Sequence, residues 1–364
     1  MSRDIPRRRF IRTSAIAGTA LFAGCGGDGG DGGDGGDGGD GGSDGGDGGG
    51  DGMDGGDGDG GGDGGGEQTT TESGPPTVAL SVPSLEFTFF ARMQNAFDAA
   101  KSDGAIASDS AFYDAGNSQS TQVSDVETAI SNEVDLLLIS ALTAEGVINA
   151  IGQANEADIP VVAIDRNVAE GETVSYVASD NVQLGRRSTE LCLGFMQEME
   201  QKDTYNIVQL EGTPGASVTN DRGEGFSNAV SNNDSLNRLA SQTGEFSTQN
   251  ALSVMEDFIT QYGDEIDGVF CQNDLMALGV HQALQNADMS MPVTGIDGTE
   301  AWVQRFSDNE FYGTIAQLPE EMVNTAIETG KTHLAGEDVE DTIVIDGLEV
   351  TQDNAADYLS QYFG

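Results

Sequence analysis

Lysine is almost missing from this sequence: Lys101, Lys202 and Lys331 are the only three in 364 residues. Lysine and arginine together number 15 against 62 acidic residues, for a formal net charge of -47. A chain so short of cations has no basic patch to hold a phosphate backbone, which argues against nucleic acid as a partner. Histidine is limited to His281 and His333. Both fall in helical patterns, away from any metal-ligand spacing or evident nucleophile, and read as ordinary exposed or half-buried side chains. No GxSxG, P-loop or GxGxxG motif occurs. Catalysis therefore finds little support, and no cofactor or metal is expected. Beyond the N-terminal region there is no apolar run of 18 residues, so no integral membrane segment is expected.

What is present starts with MSRDIPRRRFIRTSAIAGTALFAGC. Arg7, Arg8, Arg9 and Arg12 precede an apolar stretch from about Thr13 to Ala23. That stretch falls short of the ~20 apolar residues a bilayer span needs and reads as a signal peptide. The run Arg7-Arg8-Arg9-Phe10-Ile11 resembles a twin-arginine export signal. Cys25 follows Phe22-Ala23-Gly24, as in a lipobox, with Phe22 where an aliphatic residue is usual. Residues 1–25 are thus expected to direct export, and Cys25 to carry a lipid that anchors the chain to the outer side of the cytoplasmic membrane; stable anchoring takes two acyl chains.

From Gly26 to Gly66 the sequence is nearly all Gly and Asp. With no apolar surface to offset the entropy of ordering, this tract is expected to be a disordered tether. As a Gly-rich coil it would reach roughly 35 Å r.m.s.. Its carboxylates match neither an EF-hand loop nor a calcium-ordering nonapeptide repeat. A polar linker runs on to Pro76.

Residues 67–364 carry 49 acidic and 10 basic residues, a net charge of -39. Such charge repels itself, but at molar salt the Debye length shrinks to ~3 Å. The composition suggests a protein built for very salty surroundings. Of the two cysteines in this part, Cys192 lies in a helical pattern and Cys271 ends a strand. Sequence alone does not pair them, and both read as small buried apolar residues rather than a disulfide.

After Thr77 short apolar runs alternate with helical patterns. The runs are VALSV (78–82), LLLIS (136–140), VVAID (161–165), IVQL (207–210), GVFCQ (268–272), VTGID (293–297) and GTIAQ (313–317). Near-continuous apolar strands imply burial on both faces, hence a parallel sheet covered by helices. The expected class is α/β, doubly wound, in two domains. Several strands end on polar residues: Ser140, Asp165-Arg166, Asn273-Asp274, Asp297 and Gln317. Ligands of open α/β sheets bind outside the carboxyl ends of the strands. Singly, each residue reads as a cap or turn, Asn273 as an N-cap and Asp297-Gly298 as a turn; the repetition points to one polar pocket.

A sugar needs acceptors and donors for adjacent hydroxyls, a planar cationic fork, and an aromatic cover for its C–H face. Asp165, Asp297, Asn273 and Gln317 supply the first. Arg166 and Arg222 supply the second, and Phe89, Phe90 and Phe246 the third. The bland alternatives are a core pair for Phe89-Phe90, a surface helix arginine for Arg222 and a local ion pair for Asp165-Arg166.

The strings TFFARMQNAF, IPVVAIDRNV, YVASDNVQLG, DRGEGFSNAV, VFCQNDLMALGVHQAL, VTGIDGT and GTIAQLP resemble, in order and spacing, the type I periplasmic solute-binding proteins, the ribose-binding group above all. The resemblance runs from about Thr77 to Val350. It implies two similar α/β lobes joined by three strands and closing on a sugar like a hinge. The N-terminal lobe would take residues 77–179 plus about 318–345, the C-terminal lobe 180–317 plus about 346–364. Phe89, Phe90, Asp165 and Arg166 would contact ligand from the first lobe, Arg222, Phe246, Asn273 and Asp297 from the second, with Gln317 at the crossing. Three positions depart: Pro83 and Phe87 stand where the ribose group carries small or amide polar residues, and Ser140 replaces an amide. These make ribose itself doubtful and favour another pentose, a hexose or a less polar ligand, because a site built around a hydroxyl discriminates strongly.

The resemblance thus implies a monomeric receptor that hands a monosaccharide to the permease subunits of an ABC importer. Rival readings are a receptor for a nucleoside or furanose-type signal, a sensory receptor partnered with a signalling protein, and a surface glycosidase using Asp165 and Asp297. Type I domains also occur in transcription repressors, but an export signal and a tether stand here in place of a DNA-binding module.

Overall fold

The structure is a computed structural model and describes residues 74–364. The expected signal peptide, Cys25 and the Gly/Asp tether lie outside the described residues.

Two six-stranded sheets organise the described residues. The first holds β1 (Val78–Val82), β2 (Ala111–Asp114), β3 (Leu136–Ile139), β4 (Val161–Ile164) and β5 (Ser175–Ala178). The second holds β6 (Tyr205–Glu211), β7 (Leu236–Thr243), β8 (Gly268–Cys271), β9 (Val293–Asp297) and β10 (Tyr312–Ala316). Two late strands complete them: β11 (Thr342–Val344) pairs parallel with β5, and β12 (Leu348–Thr351) pairs antiparallel with β10. Every other pairing is parallel, in the orders β11-β5-β4-β3-β1-β2 and β12-β10-β9-β8-β6-β7. The expected α/β class, with two lobes of mainly parallel sheet, is what the chain forms.

Burial on both faces explains the apolar runs. Side chains alternate across a strand, so each central strand feeds two cores. Val78, Leu80 and Val82 pack with Leu136, Leu138, Val162 and Ile164. Phe90, Met93 and Phe97 of the helix Thr88–Ser102 and Met322 and Val323 of the helix Pro319–Leu334 cover that face. Ala79, Leu137, Ile139 and Val161 point the other way, onto the helices Gln119–Ser131 and Ile148–Glu156. Each fully buried aliphatic side chain contributes about 1.5–3 kcal/mol. The second lobe repeats the plan, with Val208, Leu210 and Val269 on one face and Ile207, Phe270 and Ile296 on the other.

Cys192 and Cys271 fall in cores on different faces of this second sheet, both buried and free. Burial pushes the Cys192 thiol up to about 12. His333 is exposed, as expected. His281 is more covered than expected: it is buried, and its Nδ1 lies 3.1 Å from the Tyr312 hydroxyl.

Five strands escaped the sequence reading: β2, β5, β7, β11 and β12. Four of them lie at or next to sheet edges and are half-exposed, so no continuous apolar run marks them. β5, one in from the edge, is short and begins on the buried Ser175.

The chain passes between the sheets three times, after β5, after β10 and between β11 and β12. No helix of the described residues is long and apolar enough to cross a membrane.

Candidate functional site

The carboxyl ends of both sheets face one cavity. Its lining comprises Phe87, Phe89, Phe90, Asp165 and Arg166 from the first lobe and Val218, Arg222, Phe246, Asn273 and Asp297 from the second, with Gln317 after β10. The lobes close tightly on this cavity, which has a volume of about 20 Å³.

Three of these residues hold backbone conformations that side chains rarely adopt. Asp165 has φ 60°, Phe246 φ 57° and Asp297 φ 121°. Such strain costs about 1–3 kcal/mol per residue and persists where the surroundings over-determine it. At Asp165, the backbone N–H donates to Val177 O (2.9 Å), and Tyr176 Oη donates to the Asp165 carbonyl (2.7 Å). At Asp297, the following Gly298 has φ +72°, and a methyl group there would strike Ala316 and the Tyr358 hydroxyl. Tyr358 Oη donates to Gly298 O (2.8 Å). Beneath this turn the buried Asp274 carboxylate accepts from Thr299 N and from Thr314 Oγ1, each at 2.7 Å. Phe246 packs onto Gly212, where a side chain would collide with its ring.

Arg222 is no surface helix arginine. It is 3% exposed, within the helix Ser217–Ser231. That helix crosses the helix Asn181–Met199 at backbone contact: a methyl group at Gly185 would strike Arg222 O, and one at Gly225 would strike Val182 O. The crossing delivers the guanidinium to the cavity. Its Nε donates to Asn181 Oδ1 (2.8 Å) and its Nη1 to Gln272 O (2.6 Å), while Nη2 stands 3.8 Å from Asp297 Oδ1.

Arg166 mirrors it in the first lobe. Its Nη1 donates to Leu142 O (3.4 Å), and its Nε lies 3.8 Å from Asp165 Oδ2 with no hydrogen-bond partner. The guanidinium carbon sits 5.3 Å from the ring centroids of both Phe90 and Phe246, a favourable cation–π arrangement.

Electrostatics follow from burial. Desolvation disfavours every charged form here. It lowers Arg166 to about 10 and raises Asp297 to about 6, the latter opposed by Arg222. Asp165 is also raised by burial, against the pull of Arg166 and Arg222. Asp274 is held well above the usual carboxylate range by burial and then by the charge of Asp297.

Nine of the ten residues singled out as ligand contacts line this cavity. Gln317 Nε2 donates to Asp297 Oδ1 (2.9 Å), and its Oε1 has no partner. Asn273 is both cap and lining: its Oδ1 accepts from Met276 N (3.0 Å), leaving the amide nitrogen for the cavity. Ser140 is the exception. Its short side chain is not part of the lining and stands behind Asp165, donating to Asp165 Oδ2 at 3.4 Å. Two lining residues were not among the ten. Val218 lies one turn before Arg222, and that i, i+4 spacing was the available signal. In sequence, Phe87 stands out only as a departure from the ribose group.

Geometry and sequence comparison agree. The periplasmic binding protein domain model matches residues 78–338. The ribose import binding protein RbsB of Escherichia coli K12 is 34% identical over 271 residues, spanning 74% of this chain and 88% of that protein. RbsB of Bacillus subtilis 168 is 35% identical over 268 residues, spanning 73% and 84%. Among solved structures, an ABC transporter solute binding protein from Bacillus halodurans C-125 with bound myo-inositol superposes with a TM-score of 0.73 at 26% identity, over 80% of this chain and all (100%) of that one. The binding protein of the arabinose ABC transporter from Shewanella sp. ANA-3, bound to L-arabinofuranose, gives 0.72 at 27% identity, over 79% and 95%. The chain belongs to the periplasmic binding protein domain family.

Proposed function

We propose that this chain is the extracellular solute-binding component of a sugar ABC importer and holds one monosaccharide between its lobes. The observation that carries the reading is the pair of open ion pairs. Arg166–Asp165 in one lobe and Arg222–Asp297 in the other each stand 3.8 Å apart, too far for a hydrogen bond. A ligand hydroxyl placed between such partners donates to the carboxylate and accepts from the guanidinium. Phe89, Phe90 and Phe246 cover the C–H faces. RbsB and the arabinofuranose-bound protein are, by name, sugar receptors of the same family.

Residues 77–179 and 318–345 make up one lobe in this reading, and 180–317 with 346–364 the other. The ligand ties them together, and a permease recognises the closed form. The protein acts as a monomer, exported and anchored through a lipid on Cys25, and its net charge of -39 over residues 67–364 suits high salt. It binds without turnover: oligosaccharides incubated with it stay intact. Titration calorimetry against pentoses and hexoses tests the reading; saturable binding at one site supports it, and heat-silent titrations with every sugar contradict it.

A further inference from the structure

Phe87 stands on the boundary of two hollows. Its ring lines the inner cavity beside Asp165 and Arg166, and also an outer one bordered by Glu86, Thr143, Thr213 and Asn250. Phe246 is the other side chain common to both. The two rings come from opposite lobes and meet edge to face, centroids 6.4 Å apart, so together they wall the inner cavity from the outer.

The wall is apolar on the Phe87 side. Phe90 and Phe246 each carry the Arg166 guanidinium at 5.3 Å, whereas among the described residues no cation lies over Phe87. Its ring neighbours are Phe90, at 6.1 Å, and Phe246. The groups still wanting a partner, Arg166 Nε and Gln317 Oε1, belong to the polar set of the lining. A hydroxyl pressed against Phe87 would lose water without gaining a donor or acceptor. A hydrogen or methyl group in its place removes apolar area from water instead.

We propose that Phe87 makes the site select deoxy sugars: monosaccharides with hydrogen or a methyl group, in place of a hydroxyl, at the carbon facing the Phe87–Phe246 wall. Their remaining hydroxyls engage Asp165, Arg166, Arg222 and Asp297. This rests on the sugar-receptor reading above.

The test is calorimetric titration of the full chain in molar potassium chloride with matched sugars differing by one oxygen. The pairs are ribose with 2-deoxyribose, ribose with 5-deoxyribose, galactose with fucose, and mannose with rhamnose, each of one hand. In at least one pair the deoxy member binds on the order of ten-fold tighter. Phe87→Asn abolishes or reverses that preference, and Phe87→Leu keeps it. Phe87 occupies the N-cap of the helix Thr88–Ser102 without a side-chain capping bond. Asparagine is a favoured N-cap, which offsets part of the lost packing of this buried ring, and circular dichroism checks that the variant folds. If the hydroxylated member binds as tightly or tighter in every pair that binds, or if Phe87→Asn leaves the preference unchanged, the inference is overturned and the sugar-receptor reading stands. If none of these sugars binds, both are overturned.

Discussion

Arg222 Nη2 and Asp297 Oδ1 face each other at 3.8 Å, two nearly fully buried opposite charges with no hydrogen bond between them. Neighbours hold each in place: Arg222 by Asn181 and the Gln272 carbonyl, Asp297 by Gln317. The gap is a consequence of that anchoring, and in the proposed reading a ligand hydroxyl bridges the two groups.

Removing either partner is therefore costly to ligand binding. Arg222→Ala and Asp297→Ala each leave a buried polar group and a ligand hydroxyl unpaired, at about 1–3 kcal/mol or more. Affinity falls about five- to 150-fold or further. Titration calorimetry reads this, with circular dichroism confirming that the variants fold. Unchanged affinity in both would remove the pocket assignment.

Binding also depends on pH. Burial lifts Asp297 from its ordinary 3.8 to about 6, so the carboxylate that accepts a hydroxyl exists above about pH 6. Affinity declines as pH falls through that value, and Asp297→Asn flattens the profile. The unliganded protein follows the opposite sign. A carboxyl with a raised folded-state pKa contributes stability that is present below 3.8 and lost as pH rises through about 6. Asp165 and Asp274 shift the same way. Denaturant titrations across pH 4–7 check the slope; stability rising with pH across that window contradicts the raised pKa values.

The helix crossing at Gly185 and Gly225 is a third point of attack. Gly225→Ala drives a methyl group into the backbone of the partner helix, and overpacking of this kind costs about 1–3 kcal/mol. Because Arg222 lies on the same helix, ligand affinity falls along with the melting temperature. Gly194→Ala is the matched control: it lies in the same partner helix with open space around it. It leaves both quantities close to those of the native chain.

Charge sets the fourth expectation. A net charge of -39 on residues 67–364 is self-repulsive in dilute buffer. The melting temperature rises steeply between 0.1 and 2 M potassium chloride, as the Debye length shrinks from ~10 Å to below ~3 Å. Full structure and full binding at low ionic strength would falsify the salt adaptation.

Central strands were legible because burial on both faces writes an unbroken apolar run, as in β1, β3 and β4. Edge strands carry no such mark: β7 has one buried residue, Leu236, among half-covered and exposed ones, and β11 is mostly exposed. In the site, Asp165, Asp297 and Gln317 were legible because strand ends are where α/β sheets place ligands. Ser140 satisfied the same rule but is too short to reach past Asp165, a matter of side-chain length that strand position does not encode. Phe87 was visible in sequence as an oddity; its meeting with Phe246, 159 positions along the chain in the other lobe, depends on how the lobes close.

The most direct test is a thermal-shift screen of the chain in molar salt against pentoses, hexoses, deoxy sugars and nucleosides. A ligand that binds only the native state contributes about 2.7 kcal/mol at 100 times its dissociation constant, which raises the melting temperature by about 4–5 °C. A rise with one monosaccharide, lost in both Asp165→Ala and Arg222→Ala, is the predicted result, since each lobe then contributes to one site. A rise with nucleosides alone, or a sugar-induced rise that survives either substitution, contradicts the account.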